Sequence, residues 1–200
     1  IIRGSKITSF VGNYRLNNTD ISSLIDGSGN NIWVGKAGGY GRIFGDKLFF
    51  MDQDAGLING EIQSIIEDKS GKVWLGTLGG LARLDSSTYT DFDEKEGLTT
   101  LKINSLAEDP SGNILIGTIG GGIFRFDKKA DSIPISVYAA KGILSSNTIN
   151  SLKFISDTIL NAGNDKGFDL LVVDKNQNIK KVIHNSIKDG FPGGENIPNS

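Results

Sequence analysis

Side chains that commonly perform chemistry are scarce in this chain of 200 residues. It has no cysteine, which excludes thiolate zinc sites and cysteine nucleophiles. Its single histidine, His184, stands in the polar run Ile183-His-Asn-Ser and is expected to be an exposed strand residue. No Ser/His/Asp set and no carboxylate pair recurs at a spacing suited to catalysis. The sequence therefore predicts no catalytic residue, no metal site and no cofactor.

A few motifs resemble binding sites only in part. Asp26-Gly-Ser-Gly and Asp52-Gln-Asp54 look like fragments of calcium loops, but the spacing and terminal glutamate of an EF-hand are absent. Gly38-Gly-Tyr-Gly41 resembles a phosphate loop, but no helix follows it to attract an anion. Trp33 and Trp74 could stack on sugars, although their place inside strands favours the core. We interpret these motifs as turns and core positions.

A repeat explains the unusual number of glycines, which is 27 against 4 prolines. The first residue of each copy recurs at a step of 41 residues, in Ile21, Ile62 and Ile103. An apolar residue in the second strand keeps the same step, in Trp33, Trp74 and Leu115. A fourth, degraded copy begins at Ile149 and has Asn161 at the tryptophan position. A repeat of this length indicates one supersecondary unit per copy.

Each copy reads as four short strands joined by tight turns. In the second copy the first turn is Asp68-Lys-Ser-Gly71, where aspartate can bond its own backbone and glycine supplies a positive φ. Asn30 takes the glycine position in the first copy, and asparagine is the next-best residue for that conformation. No stretch shows sustained helical spacing. We predict an all-β fold of β-propeller blades, with about four four-stranded units of 41–48 residues near 17–57, 58–98, 99–144 and 145–190 and partial strands at both ends.

The second copy, Ile62-Gln-Ser-Ile-Ile-Glu-Asp-Lys-Ser-Gly71-Lys-Val-Trp74-Leu-Gly76-Thr-Leu-Gly-Gly80, resembles the two-component regulator propeller repeat. The resemblance extends over nearly the whole chain, although the fourth copy departs from the pattern. It implies the extracytoplasmic, periplasmic sensor portion of a membrane-anchored hybrid two-component protein of the kind found in Bacteroidetes. The parent protein would carry a histidine kinase module. Because rings of this family contain more blades, we expect an arc of a larger propeller.

The loops at one end of the ring provide the candidate binding site. In a propeller, the connections between blades and the turns between second and third strands emerge at the same end. These segments are rich in neutral donors and acceptors and contain a few lysines, which suits an oligosaccharide or a similar polyhydroxylated ligand. The predicted ligand-binding residues are Lys36, Tyr40, Asn59, Thr77, Lys102, Thr118, Asn147 and Asn164.

Two other functions remain open. A metal-dependent propeller lyase or lactonase would need histidine and carboxylate side chains that converge on the axis, and a protein-interaction scaffold would only dock a partner. Balanced charge, with 21 basic and 23 acidic residues, gives no attraction to nucleic acid. No apolar run is long enough to span a membrane. We expect self-association through strands near 6–10 and 179–183, or further blades of the parent chain.

Overall fold

A computed structural model of the chain describes residues 2–3, 6–7, 21–45, 47–52, 61–85, 88–129 and 135–186. Two short strands, β1 (Ile2–Arg3) and β2 (Lys6–Ile7), form a separate hairpin. The other strands form four sheets of four. Blade 1 contains β3 (Ile21–Asp26), β4 (Asn31–Lys36), β5 (Gly39–Phe44) and β6 (Lys47–Asp52). Blade 2 contains β7 (Ile62–Glu67), β8 (Val73–Thr77), β9 (Gly80–Asp85) and β10 (Thr88–Phe92). Blade 3 contains β11 (Ile103–Glu108), β12 (Ile114–Thr118), β13 (Ile123–Phe126) and β14 (Ile135–Ala139). Blade 4 contains β15 (Ile149–Ser156), β16 (Ile159–Asn164), β17 (Gly167–Val173) and β18 (Ile179–Ser186).

Each sheet is an antiparallel meander in which strands are neighbours in chain order. The first strands of successive blades pack on one another and form the inner edge of the assembly. Helix is limited to two 3-10 turns in the described residues, Ser28–Asn30 and Glu94–Glu96. This is the predicted all-β propeller architecture, and the prediction is confirmed.

The turn after each first strand has the backbone expected from its residues. In blade 2 the Asp68 carboxylate accepts hydrogen bonds from the backbone N–H groups of Ser70 and Lys72, at 2.8 and 3.1 Å. Gly71 has a φ of 81°, and Asn30, at the matching place in blade 1, has a φ of 61°. Both angles lie in the left-handed region that glycine and asparagine tolerate.

A glycine in the second strand of blades 1, 2 and 3 receives an isoleucine from the next blade. A Cβ placed on Gly35 would lie 2.7 Å from Ile62 Cγ2, and one placed on Gly76 would lie 2.6 Å from Ile103 Cγ2. Gly117 and Ile149 repeat the arrangement at 2.8 Å. These distances are far shorter than a normal carbon–carbon contact of about 3.5–4.0 Å. The repeated glycine is therefore a packing notch rather than a turn residue.

Serine hydroxyls join the inner strands across the same three interfaces. Each hydroxyl accepts a hydrogen bond from a backbone N–H of the next blade, at 2.9–3.2 Å. The donor and acceptor pairs are Ile65 with Ser23, Leu106 with Ser64, and Leu152 with Ser105. These bonds satisfy N–H groups at the inner strands that would otherwise be costly to bury.

A glutamate at the end of the first strand makes a further link between blades. Glu67 accepts from the backbone N–H of Ser28 at 3.1 Å, and Glu108 accepts from that of Lys69 at 3.0 Å. At the third interface the corresponding turn residue is Pro110, which has no N–H to donate. Phe154 stands there in place of the glutamate, so donor and acceptor are absent together.

Both tryptophans belong to the core, as predicted. Trp33 is 7% exposed and Trp74 is fully buried. The Trp74 indole donates to Asp68 Oδ2 at 2.8 Å, and Lys128 Nζ of blade 3 lies 2.8 Å from the same oxygen. Burial alone would raise the pKa of Asp68, but the hydrogen bonds from Lys128, Ser70 and Trp74 outweigh it and hold that pKa well below its usual range.

The four blades form an open arc. Ile21 and Leu24 of blade 1 are 53% and 61% exposed. Their counterparts in blade 2, Ile62 and Ile65, are covered by blade 1 and are at most 1% exposed. No blade of the described chain therefore covers the first face of blade 1, and the arc of a larger propeller stays a prediction.

Candidate functional site at the axial end

The predicted loops lie together at one end of the arc. The turn after β8 bonds to the segment before β7, since Leu78 N–H donates to the Glu61 carbonyl at 3.1 Å. In blade 3 the Ile119 N–H donates to the Lys102 carbonyl at 2.9 Å. Gly120 N–H donates to the Asn147 carbonyl of the following connection at 3.1 Å. In blades 2 and 3, backbone hydrogen bonds thus join the turn between the second and third strands to the connections beside it.

Two of the predicted ligand-binding residues, Thr77 and Thr118, instead build these turns. Both are fully buried. Their hydroxyls donate to the carbonyls of Gly80 and Gly122, at 3.0 and 2.9 Å. A side chain enclosed in this way cannot contact a ligand, so these two assignments are corrected.

Lys36 and Tyr40 are also buried, at 6% and 4% exposure. The Lys36 ammonium lies 4.7 Å from the centre of the Phe50 ring, within the range of a cation–π contact. The Tyr40 ring lies 6.1 Å from the Trp33 ring, in the contact between blades 1 and 2. Both side chains pack within blade 1 and its seam rather than on the solvent-exposed surface of the axial loops, which corrects both assignments to the axial site.

Asn164 holds the irregular turn of blade 4 together. It is 1% exposed, and its amide donates to Ser145 Oγ at 3.1 Å and to Asp169 Oδ2 at 3.2 Å. Its side-chain oxygen accepts from Lys166 N–H at 2.9 Å. It is therefore a structural residue and not a ligand contact.

The same network includes the single histidine. Asp169 is fully buried, and its Oδ1 lies 2.7 Å from His184 Nδ1. The His184 side chain is 54% exposed, so the expected exposed strand position holds but the ring has a buried partner. Ser145 bonds to Asp169 and not to the imidazole in the described network, so these three residues do not form the relay of a hydrolase.

The other three predicted ligand-binding residues are Lys102, Asn147 and Asn59. Lys102 is exposed, and Asn147 is half-buried. The Oδ1 atom of Asn147 is buried without a hydrogen-bond partner among the described residues, and buried polar atoms are normally paired. Asn59 lies outside the described residues.

Sequence reasoning missed a set of polar residues at β-bulges. In every blade the pairing of first and second strands shifts register just after the first residue of the first strand. A bulge changes the direction of a side chain and is frequent beside functional sites. The signal in the sequence was a polar residue between Ile and Ser in every copy, namely Ser22, Gln63, Asn104 and Asn150.

Two of the bulge residues bond to the following blade. Ser22 Oγ donates to the Ile62 carbonyl, and Asn104 Nδ2 lies 3.3 Å from Asn150 Oδ1. All four are uncharged and carry hydroxyl or amide groups. The inner strands also border a hollow of about 440 Å³, where Ser22 is the only bulge residue in the lining and Ser23, Ser64, Ser105 and Ser151 lie among apolar side chains. The axial end therefore offers neutral hydrogen-bonding groups from all four blades.

Neither a metal cluster nor a membrane helix is found in the described part of the chain. No three His, Cys, Asp or Glu side chains of the described residues lie close enough together to hold an ion. Within the same residues, no helix has the length and apolar character required to cross a membrane.

Comparison with known proteins supports the repeat and the fold. Residues 56–79 match the family model described as the two component regulator propeller. No curated protein matches the sequence significantly. Many solved structures share the fold, and two of the most similar are extracellular domains of proteins from B. thetaiotaomicron described as hybrid two-component systems.

The first of these domains has 23% identity and a TM-score of 0.72, and the match covers 92% of this chain and 25% of that one. The second has 25% identity and a TM-score of 0.67, with coverage of 90% and 23%. A virginiamycin B lyase from Staphylococcus aureus shares the fold at 15% identity and a TM-score of 0.66, over 84% of this chain and 57% of the lyase.

The chain spans about a quarter of the length of the two extracellular domains. An extracellular propeller of this kind fits a sensor role. The family match lies in blade 2 and the connection before it, and the structural match covers 92% of the chain. The chain therefore carries a two-component regulator propeller repeat, within blades that have the fold of the extracellular domains of hybrid two-component systems.

Proposed function

We propose that this chain is the ligand-sensing part of an extracytoplasmic, periplasmic propeller in a two-component signalling protein. The observation that carries the proposal is the repeated β-bulge at the axial end, which gives every blade one neutral polar side chain there. Three of these side chains, Ser22, Gln63 and Asn150, are half-buried rather than enclosed. A neutral polar side chain that recurs at the same end of every blade favours ligand binding there.

The proposed ligand is an oligosaccharide or a similar polyhydroxylated molecule. Hydroxyl groups need partners that both donate and accept, and the amides of Gln63, Asn104 and Asn150 do both. Lys102 and Asn147 border the same end and extend the set. The uncharged character of the bulge residues argues against a strongly anionic ligand.

Isothermal titration calorimetry of the chain against a panel of neutral oligosaccharides tests the proposal. We expect one class of glycan to release or absorb heat, and the variants Gln63→Ala and Asn150→Ala to weaken its binding about tenfold or more, as the loss of a hydrogen bond of about 1.4 kcal/mol would do. Lys175→Ala changes an exposed residue between β17 and β18 and serves as the matched control. Binding that survives both axial variants would place the site elsewhere.

We further propose that the parent protein contains more blades, a membrane anchor and a histidine kinase module. The exposed Ile21 and Leu24 support additional blades, because the corresponding faces of blades 2 to 4 are covered. In the isolated chain these apolar side chains would instead favour self-association. Light scattering over a range of concentrations tests this, and Leu24→Lys should shift the chain to a monomer. A monomer at every concentration would contradict self-association without bearing on the glycan site.

A further inference from the structure

A second cavity lies between the outer strands of blades 1 and 2. It has a volume of about 360 Å³, which falls in the range of small-molecule pockets, about 300–1,000 Å³. Trp33, Tyr40 and Met51 of blade 1 and Leu84 and Tyr89 of blade 2 line it. None of these residues takes part in the axial site.

The second interface shows what occupies the same position when it is filled. There Trp74 packs against Phe92 and Phe126, with ring centres 5.9 and 4.8 Å away. The two phenylalanine rings meet edge to face at 4.9 Å, an arrangement that aromatic rings favour. One indole and two phenyl rings thus close the outer part of that interface.

Strand register identifies the corresponding residues of the first interface. Met51 pairs with Tyr40 as Phe92 pairs with Leu81, so Met51 stands in place of Phe92. Leu84 follows Arg83 as Phe126 follows Arg125, so Leu84 stands in place of Phe126. Both phenyl rings are therefore absent from the first interface, and the cavity occupies the space that they would fill beside Trp33.

The walls of this cavity are aromatic, and it opens to solvent. Trp33 and Tyr40 are 7% and 4% exposed. Met51 and Phe49, which also lines the cavity, are 40% and 54% exposed. Burial and the neighbouring Tyr89 raise the pKa of Tyr40 to about 12, so its hydroxyl keeps its proton and can donate a hydrogen bond.

Charge beside the cavity is balanced. The Arg42 guanidinium lies 5.6 Å from the centre of the Trp33 ring, and its Nε donates to Asn31 Oδ1 at 2.8 Å. The Glu67 carboxylate accepts from the Trp33 indole at 2.9 Å. One positive and one negative group next to the same indole leave no net charge to select an ionic ligand.

We propose that this cavity binds a small neutral aromatic molecule, of the class of phenol, in the place that Phe92 and Phe126 occupy at the next interface. The aromatic ring would pack against Trp33, and its hydroxyl would reach the tyrosine hydroxyls. The site is separate from the axial glycan site and does not depend on it.

The test uses the two tryptophan side chains of the full chain as reporters. In a ¹H–¹⁵N NMR titration with phenol and p-cresol, the Trp33 indole signal should move and saturate, while that of Trp74 should stay in place. The variant Trp33→Phe assigns the two signals. Cyclohexanol, which has a similar size and a hydroxyl but no aromatic ring, should bind at least about tenfold more weakly.

The variants Leu84→Phe and Met51→Phe introduce the rings of the second interface. We expect each to weaken p-cresol binding about tenfold or more without lowering the melting temperature. Ile155→Phe adds the same ring at a position in blade 4 that is 61% exposed and should leave binding unchanged.

Three binding results would overturn the proposal, and so would one stability result. The binding results are an unmoved Trp33 signal with both phenols, equal binding of cyclohexanol, and full binding by a folded Leu84→Phe/Met51→Phe variant. A lower melting temperature in both single variants would show that the two interfaces are not equivalent, and would overturn it as well. Binding of an oligosaccharide at the axial end has no bearing on any of these outcomes.

Discussion

Gly76→Ala tests how the blades are joined. The added Cβ would lie 2.6 Å from Ile103 Cγ2 and 3.3 Å from Leu106 Cγ, so the two blades must separate by about 1 Å to restore a contact of about 3.5–4.0 Å. Overpacking of this kind costs about 1–3 kcal/mol. Gly76 has no positive φ, so alanine does not strain the backbone at this position. Alanine also lowers the conformational entropy of the unfolded chain, which offsets about 0.4–1 kcal/mol of the loss in stability. We expect a net loss of about 1–2 kcal/mol.

The assay is urea unfolding followed by circular dichroism, read as a lower midpoint at an unchanged m-value. Ile103→Ala alone should cost about 2–5 kcal/mol because it leaves a cavity. In the double variant Gly76→Ala/Ile103→Ala the new methyl no longer meets Ile103 Cγ2, so the two losses should fall short of additive by about 1 kcal/mol or more. Additivity within about 0.5 kcal/mol, or an unchanged stability of Gly76→Ala, would show that Gly76 is not required to make room for Ile103.

Three further outcomes follow from the packing and the turns. Trp74→Ala should lower the free energy of unfolding by about 3–5 kcal/mol, and an unchanged urea midpoint would show that the indole is not a core residue. Gly71→Ala should lower the free energy of unfolding by about 1 kcal/mol because φ is 81° at this position. Asn30→Gly should be neutral or slightly stabilising. Equal effects of the two changes on thermal unfolding would contradict the turn assignment. Because the pKa of Asp68 is lowered on folding, its contribution is present above the unfolded value of about 3.9 and is lost as the pH falls below it. Asp68→Asn should therefore flatten the fall in stability below about pH 4, and an identical pH profile for the two proteins would count against the Lys128 contact.

The architecture was predictable because the repeat places the same residue types at the same steps. Trp74 and Gly71 could be assigned from one copy and checked against the others. Alignment of the copies also shows that Pro110 and Phe154 depart from the pattern as a pair. Pro110 stands at the position of the backbone N–H donor, and Phe154 stands at the position of the glutamate acceptor that would face it. Features repeated within the chain act as an internal comparison.

The candidate site was harder to predict, for two physical reasons. A threonine in a polar loop looks available for binding, but Thr77 bonds within its own turn and is buried. Sequence shows that a residue is polar and does not show whether its partners come from the protein. Gln63 was missed because a β-bulge cannot be inferred from one strand, since it depends on the register with β8.

The seams between blades also have a direction. At each one, a glycine on one face receives an isoleucine from the opposite face of the next blade, so the two ends of the arc are different surfaces. A two-fold dimer requires one patch that is complementary to itself, whereas joining of unlike ends produces a closed ring or an open filament. Copies of this chain that met through these seams would line up head to tail, and their number would be limited only by closure of the ring. Blade 4 has Asn161 and Lys153 where blade 2 has Trp74 and Ile66. Because these side chains are polar, the last face of blade 4 is less suited to pack against the first strand of another copy, and filament formation is disfavoured.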